Sequence, residues 1–269
     1  MKTVYLSEIS GLQFGALLKR PSVNNEKTMQ AVIPIVNDVK KNGIKAALKY
    51  SAKFEGIPVQ GFRITGNEIQ KAEKRISAGL KKSIKTAYKN IYAFHKKQKP
   101  ARYSVETMKG IVCSREFRPI ESVGLYIPGG TAPLFSTLLM LAIPAKIAGC
   151  KRIAVCSPAQ VGKIADALLY AAFICGIEEI YAIGGAQAIA LMAYGDKSFS
   201  PVNKIFGPGN QYVTAAKILV SSDPDGCAID MPAGPSEVLI IADRFADPEY
   251  IAADRSEEHT SELQSLAYL

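Results

Sequence analysis

Tyr126, Gln187, Asn210 and Ser236 each stand in or beside a glycine-rich turn, and such turns suit an anionic ligand. The first turn, Pro128-Gly-Gly130, closes the apolar run Ser122-Val-Gly-Leu-Tyr-Ile127. The run Arg152-Ile-Ala-Val-Cys156 closes in Ser157-Pro158, and Glu179-Ile-Tyr-Ala-Ile183 closes in Gly184-Gly-Ala-Gln187. Lys204-Ile-Phe206 closes in Gly207-Pro-Gly-Asn210, and Pro232-Ala-Gly-Pro-Ser-Glu237 precedes the run Val238-Leu-Ile-Ile-Ala242. Glycine lets a backbone approach a ligand closely, and a helix start offers N–H groups to an anion. None of these turns is a Gly-x-Gly-x-x-Gly fingerprint or a Gly-x-x-x-x-Gly-Lys-Ser/Thr phosphate loop. Each also reads as plain strand-to-helix punctuation. Tyr126 suits an inward strand aromatic, Gln187 and Asn210 suit helix starts, and Ser236 beside Glu237 suits a turn. Spacing alone therefore reaches a nucleotide or small anionic metabolite site and stops there.

The elements that would position these residues follow a strand–turn–helix rhythm. The first four turns each lead into a segment of helical periodicity, which predicts an α/β fold with a parallel sheet wrapped by helices. Ligands in such sheets bind outside the carboxyl ends of the strands, where these turns fall. The preceding half is helical. Val32, Ile35, Val36 and Val39 trace a stripe in which Pro34 predicts a kink and Gly43 an end. Ile44, Ala47 and Leu48 continue in a second helix up to Gly56, and Asn67 starts a third. Leu80, Ile84, Ala87, Tyr88, Ile91 and Phe94 mark one face of a long lysine-rich helix. Beyond Pro100 the pattern turns extended, at residues 103–106 and 110–118.

Composition narrows the classes. The chain has 269 residues, 48% apolar, enough for two modest domains. No apolar run reaches the roughly 18 residues of a membrane helix, and no sustained apolar segment marks a secretory signal. Five cysteines without Cys-x-x-Cys spacing predict reduced thiols and a cytoplasmic location. The net charge of +9 is uneven: residues 1–118 hold 24 Lys and Arg against 8 Asp and Glu, and the remainder 9 against 16. The basic half invites a nucleic-acid reading, but its lysines lie opposite an apolar helical face and no nucleic-acid motif accompanies them. A solvated outer face explains them, so no nucleic-acid partner is expected.

The turns together form a family signature. Arg118-Pro-Ile-Glu-Ser-Val-Gly-Leu-Tyr-Ile-Pro-Gly-Gly-Thr131 resembles the opening motif of the histidinol dehydrogenase family. So do Pro144-Ala-Lys-Ile-Ala-Gly149, Ile183-Gly-Gly-Ala-Gln-Ala-Ile-Ala190, Lys204-Ile-Phe-Gly-Pro-Gly-Asn210 and Ile229-Asp-Met-Pro-Ala-Gly-Pro-Ser-Glu237. The resemblance implies oxidation of L-histidinol to L-histidine through the aldehyde, with reduction of NAD, in the last step of histidine biosynthesis. It implies a zinc-dependent homodimer and two Rossmann-like parallel-sheet domains, the second inserted in the first. By the same resemblance Tyr126, Gln187 and Asn210 contact NAD, and Ser236 touches substrate.

After Ala252-Ala-Asp254 the resemblance breaks. The family continues with a segment whose Gln and His bind zinc, and those places hold Glu258 and Ser261 here. The chain has two histidines, His95 and His259, so neither a zinc site nor a catalytic histidine base is expected in it. Arg255-Ser-Glu-Glu-His-Thr-Ser-Glu-Leu-Gln-Ser265 resembles an in-frame translation of a sequencing adaptor, and residues 255–269 are read as an artefactual tail. The expected division is an N-terminal arm at 1–24 and a first Rossmann-like domain from 25–119 plus 236–254, incomplete through truncation. An NAD-binding second domain follows at 120–235. Two other classes stay open: a non-catalytic nucleotide-binding fragment, and a nucleic-acid-associated protein using the basic half.

Overall fold

A computed structural model describes residues 10–11, 14–15, 25–56, 62–129, 134–159, 163–232, 240 and 242–255. Its centre is a six-stranded sheet in which five strands run parallel. These are β4 (Ser122–Tyr126), β5 (Arg152–Ser157), β6 (Glu179–Ala182), β7 (Lys204–Phe206) and β8 (Ala228–Ile229). The short β1 (Arg63–Ile64) joins antiparallel beside β6, giving the order β1-β6-β5-β4-β7-β8. The order runs outward from β4 first to one side and then to the other, as in open doubly wound sheets. The four strand runs predicted from the first four turns are therefore all present and all parallel. The fifth run, Val238–Ala242, lies almost wholly outside the described residues.

Alternation along each strand divides the core in two. Val123, Leu125 and Ile127 of β4, with Ile153 and Val155 of β5, face one side. Helices α4 (Phe135–Ala148) and α5 (Asp166–Ile174) cover that side. Tyr126, Ala154, Cys156 and Tyr181 face the other, under α6 (Gly185–Tyr194) and α7 (Gln211–Ser222). Burial on both faces is why these strands read as nearly continuous apolar runs. The helical half supplies an outer layer. The long α1 (Asn25–Glu55) packs on α6 and α7, α2 (Gly66–Arg75) on α5, and α3 (Ala78–Lys97) on α4.

Local chemistry sets the ends of these helices. Thr65 and Glu68 close a reciprocal capping box at the start of α2, and Ser77 caps α3. Pro34 is accommodated within α1, whose one non-helical residue is Gly43, at φ 56° and ψ −138°. The end expected at Gly43 is thus a bend between two helical stretches, and the residues around Pro34, where a kink was expected, keep helical angles. Asp196 holds this bend by accepting the Ile44 N–H at 2.8 Å, and a Cβ on Gly43 would collide with the Asp196 side chain. On α3, Ile84 is fully buried while Leu80, Ala87, Tyr88 and Ile91 pack on the core. Phe94, predicted on that face, is 65% exposed and meets the His95 ring edge-on instead of the core. Residues 103–118 form a hairpin of β2 (Tyr103–Met108) and β3 (Ile111–Arg115), exposed on both faces.

The N-terminal ends of the strands are tied by one cation. Arg152 bridges Glu179 at 3.0 and 2.8 Å, and also donates to Ser122 Oγ and to the Ser200 and Pro201 carbonyls. Removing a partly buried charge that makes this many bonds leaves Glu179 unpaired. Arg152→Met is expected to cost about 2–4 kcal/mol of stability, read from urea unfolding, with no gain from added salt.

A second ionic tie joins α1 to the end of α7. The hydrogen bond from Lys40, with further donors from the Asp225 backbone and Tyr194, holds the Asp223 carboxyl down at about 2. Since the folded pKa lies below the ordinary carboxylate value of about 4, this tie stabilises fully above that pH. It is lost as pH falls toward 2. Acid unfolding of Asp223→Asn should therefore show a shallower loss of stability below pH ~4 than the parent chain, with equal slopes above pH ~5.

Candidate functional site at the carboxyl end of the sheet

The turns after β4, β5, β6 and β7, three of them carrying glycine, meet at one end of the parallel strands. Pro158, after β5, sits between two of them: a Cβ on Gly129 or on Gly184 would run into its ring. Tyr126, the last residue of β4, links the rest. Its hydroxyl oxygen accepts the Gly185 N–H at 3.0 Å, which ties β4 to the start of α6. Its carbonyl oxygen lies so near Gly207 that a side chain there would overlap it. Gly207 takes φ 128° and Gly185 φ 64°, conformations that residues with a Cβ rarely adopt. The glycines are thus required by contact between turns, and the turn backbones form a continuous floor.

The sequence-predicted contacts occupy this floor differently. Tyr126 is buried with its hydroxyl against the Gly184-Gly185 turn, and its backbone abuts the turn that ends in Asn210. Asn210 is exposed, and its Oδ1 accepts the Tyr212 and Val213 N–H groups, capping α7 at 3.1 Å each. Gln187, in the first turn of α6, is buried and donates to Ser51 of α1 at 3.4 Å. Its amide is turned toward the covering helix. Tyr126 and the turns before Gln187 and Asn210 therefore come together, and the Gln187 amide lies between Gly185 of its own turn and Ser51 of α1. Ser236 lies outside the described residues.

Two residues that sequence reasoning did not single out belong to this end. Lys217 of α7, 4% exposed at its side chain, donates to the Gly207 carbonyl at 2.8 Å and pairs with Asp230 just past β8. The other Asp230 oxygen accepts the Gly207 N–H at 2.8 Å. A signal was present in the sequence: Lys217 shares its helical face with Val213, Ala216 and Val220, all buried. A lysine on an apolar face needs a buried partner.

Other chemistry is limited here. Burial pushes the Cys227 thiol up to about 11 and the Cys175 thiol to about 12, so neither is a thiolate at neutral pH. All five cysteines are unbridged. Among the described residues no three His, Cys, Asp or Glu side chains converge as metal ligands. His95 bonds Gln98 at the end of α3. A depression of about 330 Å³ lined by Lys146, Arg152 and Glu179 lies at the opposite, N-terminal end of β5 and β6. Its lysine and arginine already serve the Gly176 carbonyl and Glu179. No described helix is long and apolar enough to cross a membrane.

A mostly parallel sheet covered by helices on both faces, with its turns contiguous at the carboxyl end, defines an α/β protein. Comparison with known proteins narrows this. The sequence model of the histidinol dehydrogenase family matches residues 18–267, and the chain belongs to that family. It is 51% identical over 255 residues to the histidinol dehydrogenase of Vibrio parahaemolyticus, covering 94% of this chain and 58% of that relative. Against the Photobacterium profundum enzyme the identity is 52%, with 94% and 57% covered. The crystal structure of histidinol dehydrogenase from Elizabethkingia anophelis superposes with a TM-score of 0.82 at 46% identity, covering 91% of this chain and 57% of that one. The chain thus spans a little over half the length of the relatives it matches. The matched range takes in residues 255–267 as well as the glycine turns.

Tyr126→Phe tests the floor directly. It leaves the Gly185 N–H without its acceptor in a partly buried place, which should cost about 1 kcal/mol in urea unfolding. Exchange of the Gly185–Gln187 amides should rise while the 166–174 helix is unchanged.

Proposed function

We propose that this chain forms the NAD side of a histidinol dehydrogenase, the enzyme that oxidises L-histidinol to L-histidine through the aldehyde. The observation that carries the reading is the set of contiguous glycine turns at the carboxyl end of a sheet whose strand order reverses at β4. The residues present fit the cofactor: helix α6 opens on Gly184-Gly185 at that end, with the Tyr126 hydroxyl on the Gly185 N–H, and the backbone there carries no side chain to block a close approach. An extended dinucleotide can lie along such a floor with its phosphates at helix starts. Tyr126 and Asn210 would border it, and Gln187 would reach it by leaving Ser51. NAD when bound would accept hydride from the substrate carbon. The chain's own share is binding, orientation and exclusion of water.

Zinc is a different matter. The family resemblance implies the metal, but the described residues offer no ligand cluster for it, and no step is assigned through it. No histidine of the described part lies at the glycine turns to serve as a base, since His95 is at the far end of α3. Catalysis, a homodimeric state, the L-histidinol site at Ser236 and the artefactual nature of 255–269 belong to the same proposal. So does the division at residue 120. Helices α1 to α3 pack on the helices that cover the sheet of the proposed second domain, so the two parts would share a core.

The test is calorimetric titration of NAD into the 269-residue chain, paired with an assay of NADH formation from L-histidinol and zinc. Saturable NAD binding without turnover is expected. Joining the chain to the C-terminal part of one of its relatives should bring turnover. A chain that takes up no NAD, or that turns over unaided, would sink the reading.

A further inference from the structure

Gly207 poses a problem that its own strand cannot solve. It follows β7, where pairing with β4 and β8 has ended, and it turns away at φ 128°. Its backbone is nonetheless buried, so its N–H and C=O need partners other than water. Both come from a single ion pair. One Asp230 carboxylate oxygen accepts the Gly207 N–H, and the other meets Lys217 Nζ, which donates in turn to the Gly207 carbonyl. The result is a closed ring of charge-assisted bonds through one residue. Lys217 stands on α7, the helix that Asn210 caps, and Asp230 stands at the carboxyl end of β8.

We infer that Lys217 and Asp230 are positioning residues: their ion pair grips Gly207 by both backbone polar groups and sets the Gly207–Asn210 turn against Tyr126 for the cofactor. Steric contact alone cannot do this. The Tyr126 carbonyl excludes a side chain at Gly207, but a glycine without a Cβ keeps a wide choice of φ and ψ unless its N–H and C=O are held. The pair removes that freedom, because a rotation of either flanking peptide plane breaks a bond to a charged group. It also ties the cofactor turn to Met231 and Pro232, which lead from Asp230 toward Ser236. One clamp thereby holds the turn at Asn210 in register with the chain at Asp230, just past β8.

The inference rests on the NAD reading, and the experiment separates the two. Lys217→Met, Asp230→Leu and the double variant would be compared with the parent by thermal melting, NAD titration and hydrogen exchange over residues 204–213. Lys217→Met should raise exchange over 204–213 while leaving 166–174 unchanged, and weaken NAD binding roughly tenfold or more. The double variant no longer buries an unpaired charge, so its melting temperature should return toward the parent value. Its NAD affinity should stay weak and its 204–213 exchange high, since nothing holds Gly207. A double variant that recovers both would show the pair to be a packing device and overturn the inference. So would unchanged 204–213 exchange in Lys217→Met. If the parent chain takes up no NAD, the cofactor reading falls and the exchange comparison alone decides the clamp.

Discussion

Where β4 ends, the Tyr126 carbonyl lies against Gly207 and leaves no space for a side chain, and the architecture of this end depends on that contact. It brings the turn after β7 hard against β4, the strand at which the sheet order reverses. The same tyrosine reaches with its hydroxyl to Gly185, on the far side of β5. Pro158 fills the gap between, with Gly129 and Gly184 pressed on its ring. A bulkier residue at any of these glycines would push one turn off its neighbour. Close backbone approach is thus the common requirement, and glycine is the residue that satisfies it.

The rest of the fold secures this end indirectly. Alternating side chains bury both faces of β4, β5 and β6, which holds the strand ends level. Arg152 secures the opposite ends, and Lys40 and Asp196 bind α1 to the helices beneath it. The covering helix α1 also sets the direction of Gln187 through Ser51. A residue far from the turns in sequence therefore controls what a turn residue can reach.

Much of this was legible in the chain itself. Nearly continuous apolar runs that close in glycine or proline turns give parallel strands wherever both faces are covered, and β4, β5, β6 and β7 were placed within a residue or two. Gly43 marked a helix boundary by its own conformational chemistry. The family followed from five motifs in order, and the identities of about half over nearly the whole chain agree with it. These features are local: each rests on residues within one turn or one strand of each other.

What the sequence could not decide was long-range. Phe94 carries the right spacing for a buried face and yet is exposed against His95, because burial needs a packing partner as well as the spacing. The exposed hairpin 103–115 and the two-residue β1, paired antiparallel to β6, depend on neighbours far along the chain. Gln187 sits at its predicted helix start, but its side-chain direction follows from α1, more than a hundred residues earlier. Lys217 and Asp230 read separately as a helical lysine and a strand-end acid. Sequence alone determined the turns, their glycines and the family to which they belong, since backbone sterics and apolar periodicity act over a few residues. Only the tertiary structure decided that one buried ion pair closes on Gly207, because desolvation makes those charges seek each other only once the sheet and α7 have enclosed them.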